Sequence, residues 1–298
     1  MRNFIIPLLL LLPIALPVPA ADDNIALEQL FRRAIEPPGA DDVTAQSRAA
    51  VQQLKEYGPA AVPFLCRKLE HPCLPGIFTI QEIVTYWSSN AVDALIACHA
   101  GTTNDQARRI IVYFLGLIRD PRGRIAAEEE LSHPRNRSTA LWTLGRCGIT
   151  DAVPWAATAI LTGAQQMVRV RSAGILRKLG DASQNAALVV ALGADRDWNV
   201  RCAAARGLAA HGLAGCTAIT NAWSILSPSG KILGLSVLAG STNFASAEVL
   251  KSYTSDTNPF VAAHAVRLLR VKGIVVTNTL PEPCWIGATG DETPDGGE

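Results

Sequence analysis

The side chains of this sequence that are best suited to chemistry lie close together in the first third of the chain. They are three cysteines and two histidines: Cys66, His71, Cys73, Cys98 and His99. One interpretation is a disulfide of Cys98 with Cys66 or with Cys73, since either pair could approach the Cα separation of about 4.4–6.8 Å that such a bond needs. The other interpretation is a set of buried, reduced thiols. We do not predict a metal site from this cluster.

No established catalytic motif accompanies the cluster. The sequence lacks C-x-x-C and C-x-x-C-H, and it also lacks H-E-x-x-H, G-x-S-x-G and a phosphate-binding loop. These are the patterns that position redox thiols, haem, zinc, a nucleophilic serine and nucleotide phosphates. We therefore predict no catalytic residue, no metal and no cofactor.

The chain that positions these residues repeats one pattern three times. Arg137, Arg169 and Arg201 are 32 residues apart. Each is followed by a leucine after seven residues and a glycine after eleven, at Leu144, Leu176 and Leu208 and at Gly148, Gly180 and Gly212. A fixed period of this length predicts stacked helical hairpins. We expect each glycine to end a helix in the left-handed conformation. We expect the three arginines to bond carbonyl or acidic groups of the neighbouring repeat.

The composition limits the classes of partner. The sequence has 27 Lys and Arg against 26 Asp and Glu. A nearly neutral chain lacks the basic footprint of a nucleic-acid binder, so we predict no nucleic-acid partner. Seven cysteines are too few for a disulfide scaffold in a chain of this length, and their odd number leaves at least one unpaired.

The sequence divides into four segments. Residues 1–20 are typical of a secretory signal peptide, because a short basic start precedes an apolar run and small residues. Residues 21–43 indicate a helix from Asn24 to Ile35 and a linker, and residues 44–273 hold the repeats. Residues 274–298 form an extension whose Gly-, Pro- and acid-rich end we expect to be disordered. Export predicts a periplasmic or secreted protein without a stable membrane span after signal cleavage. The alternative is that the segment is not cleaved and stays as a membrane anchor.

The repeated residues resemble a known family. The stretch from Arg48 to Leu65 resembles a HEAT repeat, and so does Arg137 to Gly148 followed by Asp151 to Pro154. Asp197 to Arg201 is similar to the start of the short HEAT-like repeats of phycobilisome lyases. The resemblance implies an all-α solenoid, a right-handed superhelix of about seven helix pairs. Deoxyhypusine hydroxylase is an iron enzyme of similar repeats, but the His-Glu dipeptides that it uses are missing from this sequence.

Two aromatic residues are the candidate binding residues. Phe64 and Trp155 follow Ala-Val-Pro in two repeats, a position that faces the concave side in this family. Exposed aromatic side chains are typical interface anchors. The alternative for Trp155 is packing against the neighbouring repeat. We interpret the acidic run from Glu128 to Glu130 as a solvated helix face.

The sequence therefore predicts an exported, non-catalytic scaffold or adaptor whose partner is another protein. Two alternatives stay open. One is an enzyme, such as a lyase-like member of the family, with an unrecognised site in the concave groove. The other is a structural component of an envelope assembly.

Overall fold

The computed structural model describes residues 21–36, 41–242 and 246–276. Within these residues the chain forms sixteen α-helices, joined by short turns and loops, and no β-strand. The all-α class predicted from the periodicity is confirmed. The chain divides into two compact units, residues 1–130 and residues 131–298.

The described part of the first unit contains one leading helix and three helix pairs. The leading helix, α1, spans Ala21–Ala34, close to the helix predicted from Asn24 to Ile35. The pairs are α2 (Asp41–Tyr57) with α3 (Val62–Lys68), α4 (Leu74–Trp87) with α5 (Val92–Gly101), and α6 (Asp105–Ile118) with α7 (Arg124–Glu130).

The described part of the second unit contains four pairs and a closing helix. The pairs are α8 (Arg137–Cys147) with α9 (Val153–Thr162), α10 (Gln166–Leu179) with α11 (Asn185–Ala194), α12 (Trp198–Ala210) with α13 (Gly212–Asn221), and α14 (Pro228–Gly240) with α15 (Ser246–Ser252). The closing helix, α16, spans Pro259–Val271.

Helices of the same kind pack side by side within each unit. In the second unit the first helices of the pairs form one layer, in the order α8, α10, α12, α14 and α16, and the second helices α9, α11 and α13 form another. In the first unit α2, α4 and α6 form one layer, and α3, α5 and α7 form the other. This is the arrangement of an α-solenoid, and the described residues contain seven pairs, as the sequence predicts.

Local sequence signals fix where many helices begin. Pro63 and Pro154 lie in the first turn of α3 and α9, where the missing N–H of proline costs no hydrogen bond. Asn104, Asp197 and Asn258 precede α6, α12 and α16, and each side chain accepts hydrogen bonds from the first backbone N–H groups of its helix. Such caps satisfy donors that have no partner inside the helix.

The three repeated glycines differ in conformation and in position. Gly148 ends α8 with a left-handed φ of +75°, as the pattern predicts. Gly212 is also left-handed, with φ of +57°, but it is the first residue of α13, and His211 is the residue that caps α12. The same prediction is wrong for Gly180, which ends α10 with an extended φ of −80°. A glycine is needed there for its small size, because a Cβ at Gly180 would lie 2.5 Å from the carbonyl oxygen of Leu176.

Additional packing covers the two ends of the described helices. At the start, α1 buries Leu27 and Phe31, and Glu28 forms an ion pair with Lys68 of α3. At the other end, Ile274 and Val276 pack against a buried cluster of Leu235, Leu250, Val261, Ala265 and Leu269. The first residues of the predicted C-terminal extension are thus part of the packed second unit.

Several predictions from the sequence fall outside the described residues. They are the signal peptide at residues 1–20, part of the linker at residues 37–40, Cys284, and the acidic end of the C-terminal extension. None of the helices in the described ranges is both long enough and apolar enough to cross a bilayer.

Candidate protein-binding surface

The three repeated arginines make the same bond in successive repeats. Arg137 Nε donates to the carbonyl of Leu131 at 2.7 Å, Arg169 Nη1 to that of Gly163 at 2.9 Å, and Arg201 Nη1 to that of Asp195 at 3.0 Å. Each acceptor precedes its arginine by six residues. Gly163 and Asp195 are the residues at which α9 and α11 end. Carbonyls at helix ends have no partner within the helix, so these arginines tie the end of one repeat to the next.

Arg169 adds a second link, to the following repeat. Its Nε and Nη2 donate to the two carboxylate oxygens of Asp195 at 2.6 and 3.0 Å, and both side chains are buried. Burial is the largest single influence on the pKa of Asp195 and would raise it. The hydrogen bonds that its carboxylate accepts from Arg169 and from the backbone N–H of Asp197, together with the charges of Arg169 and Arg196, outweigh burial and hold the pKa below its ordinary value. The hydrogen bond that Arg169 donates to Asp195 raises the pKa of the guanidinium. Both groups are therefore charged at neutral pH.

Lys231 of α14 forms a similar ion pair two repeats after Arg169. Its Nζ lies 2.8 Å from Oδ2 of Asp256, which also accepts a hydrogen bond from Trp223 Nε1 at 3.0 Å. The indole of Trp223 stacks on Tyr253 at a centroid distance of 3.8 Å. The link joins the start of α14 to the residues that precede α16, so it also fixes the spacing of neighbouring repeats.

In the first unit, a buried ionic cluster links the helices of neighbouring repeats. Arg108 Nε donates to Glu130 at 2.7 Å, and His99 Nε2 lies 3.0 Å from the same carboxylate oxygen. The side chains of His99 and Glu130 are 1% and 0% exposed. The interpretation of residues 128–130 as a solvated face is therefore wrong for Glu130, because Arg108 and His99 supply partners that the local sequence does not reveal. Burial and the charge of Arg108 lower the pKa of His99, so its imidazole is neutral at neutral pH.

The cysteines are free thiols in the described residues. Cys66, Cys73 and Cys98 are free cysteines in this structure. The fold brings the thiols of Cys66 and Cys98 into a mutual hydrogen bond, which together with burial raises the pKa of Cys66. Cys73, in contrast, is exposed. Among the described residues, no three His, Cys, Asp or Glu side chains converge on a point where a metal ion could bind.

Phe64 does not lie on an open surface. Its side chain is only 3% exposed, and its ring packs edge-on against Phe31 at a centroid distance of 6.2 Å. The expectation of an exposed anchor at Phe64 is wrong, because α1 covers this part of the first repeat. Phe64 is a core residue.

Trp155 is only partly buried. It lies in the first turn of α9, and the guanidinium carbon of Arg137 is 5.8 Å from the centroid of its ring. The arginine that bonds Leu131 thus also fixes one face of the indole. Trp155 keeps the exposure that a binding residue needs, so its assignment stays a prediction.

An uncharged surface extends from Trp155 along the second helices of the second unit. The helices α9, α11 and α13 contain no Asp, Glu, Lys, Arg or His. Each exposes one large aliphatic side chain by about half: Leu161 at 48%, Val190 at 46% and Leu213 at 56%. We name these three residues and Trp155 the uncharged face. A charge-free layer at a protein surface is unusual, because Lys, Glu, Arg and Asp normally occupy such positions.

A cleft lies between α12, α13 and α14, beside the uncharged face. Its volume is about 530 Å³, and Leu213, Leu233 and Val237 contribute to its wall. Arg206 is the one charged residue among those that line it. The cleft arises where α13 follows α12 after a single residue, His211, whose Nε2 donates to the carbonyl of Leu176 at 3.0 Å.

Comparison with known proteins identifies the repeat type. Residues 125–209 match the HEAT repeats family. This segment of the chain is similar to HEAT repeats. It contains Arg137, Arg169 and Arg201, together with Trp155, Leu161 and Val190 of the uncharged face. The carbonyls that these three arginines bond, those of Leu131, Gly163 and Asp195, lie within the same segment.

Two solved structures are similar to the chain at low identity. The complex of CpcE and CpcF of phycocyanin lyase from Nostoc sp. PCC7120 is 21% identical, over 82% of this chain and 94% of that chain, with a TM-score of 0.39. Human deoxyhypusine hydroxylase in complex with glycerol is 14% identical, over 83% and 84% of the two chains, with a TM-score of 0.25. No curated protein sequence matches the chain.

Proposed function

We propose that the protein is a non-catalytic scaffold or adaptor that binds another protein through the uncharged face. The observation that carries the proposal is the run of three adjacent second helices, α9, α11 and α13, without a single charged residue. The centres of protein interfaces are depleted in charge and enriched in aromatic residues. Contiguous exposed apolar surface marks interaction sites in soluble proteins.

The framework beneath the uncharged face supports a binding role. Arg169 joins α10 to the ends of α9 and α11, and Arg201 bonds the end of α11. Because these bonds fix the spacing of neighbouring second helices, the face holds its shape before a partner arrives. Preorganisation of this kind reduces the entropy that binding costs.

The chemistry-bearing groups support a binding protein rather than an enzyme. His99 and Glu130 form the closest pairing of an imidazole and a carboxylate in the cysteine- and histidine-containing region, and both are buried. A general acid or base must come within hydrogen-bond reach of a substrate. A buried pair that is held by Arg108 is better suited to joining α5, α6 and α7.

A capture experiment tests the proposal. Val190→Glu and Leu213→Glu place a charge on the uncharged face without disturbing the core, and Trp155→Ala removes its aromatic residue. We expect each variant to lose at least tenfold in affinity for partners isolated from envelope extracts with the wild type. Val271→Glu is the matched control, because Val271 is 79% exposed but lies on α16. Equal capture by all four variants at unchanged melting temperature would place the partner surface elsewhere.

The proposed site of action is the periplasm or the outside of the cell, as residues 1–20 predict. Cell fractionation, followed by intact-mass measurement of the exported protein, tests this part. Loss of residues 1–20 from the mature protein is the expected result. A full-length mass in the cytoplasmic fraction would contradict it.

A further inference from the structure

The two layers of the second unit differ sharply in charge. The first helices α8, α10, α12, α14 and α16 carry eleven Lys and Arg and no Asp or Glu. Over residues 131–276 there are fifteen basic and six acidic residues, a net charge of +9. The neutral composition of the whole chain conceals this excess. It is independent of the uncharged face, which belongs to the second helices.

Some of these basic side chains bond groups of neighbouring repeats, and others lie on the outer surface of the helices. Arg137, Arg169, Arg201 and Lys231 bond carbonyls or acids between repeats. Other basic residues lie on the outward sides of α8, α10 and α12. We name these the basic face: Arg146, Arg171, Arg177, Lys178 and Arg206.

Direct contacts connect Arg146, Arg171 and Lys178 of the basic face through α8. The guanidinium carbons of Arg146 and Arg171 lie 5.4 and 5.8 Å from the ring centroid of Trp142, on α8. Lys178 donates to the carbonyl of Gly145 at 2.8 Å, one residue before Arg146. A tryptophan beside two arginines combines the residue types that dominate binding hot spots.

Two members of the basic face have no counter-ion. Arg177 is exposed and Arg206 lines the cleft beside α13. Neither forms a hydrogen bond or ion pair with any residue in the described ranges. The positive charges of Arg177 and Arg206, which have no counter-ion among the described residues, attract an anionic segment.

The chain itself contains such a segment. Residues 277–298, which follow the described part, contain five acidic residues and no basic residue. The acids are Glu282, Asp291, Glu292, Asp295 and Glu298. We propose that residues 282–298 bind the basic face of the same chain and shield it from other polyanions.

The length of the chain permits this contact. Asp291 follows Val276 by 15 residues, which span about 50 Å when fully extended. Neighbouring packed helices are about 8–10 Å apart, so α12 lies roughly 20 Å from α16 across α14. The segment is therefore long enough for its acidic residues to reach Arg206 on α12 and Arg171 on α10. Tethering gives the segment an effective concentration on the order of 1 mM, so a weak interaction suffices to hold it.

The first test measures competition for the basic face in the full chain. In the variant that we name tail-neutral, the five acids of residues 282–298 are neutralised: Glu282→Gln, Asp291→Asn, Glu292→Gln, Asp295→Asn and Glu298→Gln. The probe is a fluorescein-labelled peptide of eight glutamates, and its affinity is measured by anisotropy at low salt. We expect the tail-neutral variant to bind the probe about tenfold more tightly than the wild type, because displacing a tethered segment weakens apparent affinity by this order. Equal affinities would overturn the proposal.

Matched variants separate a specific contact from a general change in charge. A control chain neutralises five exposed acids of the first unit instead: Glu36, Glu56, Glu70, Glu82 and Glu128. It should bind the probe as weakly as the wild type, and a tenfold gain there would overturn the proposal.

In the tail-neutral chain, Arg171→Gln with Arg206→Gln should abolish the gain. Arg33→Gln with Arg109→Gln, an equal change of charge in the first unit, should preserve it. Circular dichroism checks that each variant is folded.

Crosslinking tests whether the contact lies within one chain. A carbodiimide joins an amine directly to a carboxylate, and Lys178 is the lysine of the basic face. We expect mass spectrometry of the monomer to find Lys178 linked to an acid among residues 291–298. The link should disappear in 1 M salt, where the Debye length falls to about 3 Å. Crosslinks that form only between two copies would overturn the proposal.

Discussion

Arg169 and Asp195 form a two-point ion pair, with N···O distances of 2.6 and 3.0 Å, in which each side chain is only 8% exposed. The arginine belongs to α10, and Asp195 is the residue at which α11 ends. Because Arg169 also donates to the carbonyl of Gly163, one side chain connects the ends of two successive second helices. The pair sits beneath the uncharged face and sets the spacing of the helices that form it.

Removal of Arg169 should destabilise the protein strongly. Arg169→Ala leaves Asp195 as a buried, unpaired carboxylate, and breaking such a pair costs about 3–5 kcal/mol of unfolding free energy. Urea denaturation followed by far-UV circular dichroism measures the loss. Arg177→Ala, on the exposed side of the same helix, is the control and should change the unfolding free energy by no more than about 0.5 kcal/mol. Equal losses in the two variants would contradict a structural role for the pair.

His99 should make the protein less stable in mild acid. Burial and Arg108 lower its pKa, although Glu130 and Glu129 act in the opposite direction. The unfolded chain therefore binds a proton near the ordinary histidine pKa of about 6.5, while the folded chain does so only at lower pH. Stability from this group is present above about pH 6.5 and is lost as the pH falls from there toward the folded pKa.

Melting temperatures measured from pH 7 down to pH 5 test this expectation. The wild type should lose melting temperature over that range more steeply than His99→Gln, which has no group that titrates there. His71→Gln, at an exposed site in the same unit, should keep the slope of the wild type. Parallel slopes for the wild type and His99→Gln would show that His99 does not link protonation to folding.

Phe64 and Phe78 should respond in opposite ways to truncation. Phe64 is 3% exposed and Phe78, on α4, is 63% exposed. Phe64→Ala removes a ring that packs against Phe31, so we expect it to cost about 3–5 kcal/mol of unfolding free energy. Phe78→Ala should stay within about 0.5 kcal/mol of the wild type. A small effect at Phe64 would mean that α1 does not cover the first repeat as described.

The cysteines should all titrate as thiols, at rates set by their exposure. Unfolding without a reductant should release seven thiols, one for each cysteine of the sequence. In the native protein iodoacetamide should modify the exposed Cys73 first. Cys66 should react slowly, because burial and the raised pKa both suppress its thiolate. A count of five would reveal a disulfide, and peptide mapping would identify its two cysteines.

Local sequence signals determined the architecture of this protein. The 32-residue spacing of Arg137, Arg169 and Arg201 predicted stacked helical hairpins, because each unit of a solenoid makes the same contacts with its neighbours. Gly148 marked the end of α8 correctly, and Pro63 and Pro154 lie in the first turns of α3 and α9, since glycine and proline act on the backbone at their own position. Features of this kind need no knowledge of distant residues.

The tertiary structure alone decided which side chains are covered and which charges are paired. Phe64 occupies the same repeat position as Trp155, yet it is buried because α1 lies against it. Glu130 follows two exposed glutamates, yet it is buried because Arg108 and His99 supply its partners. The burial of a side chain and the pairing of a charge depend on residues that are far apart in the chain. Local periodicity therefore does not predict them.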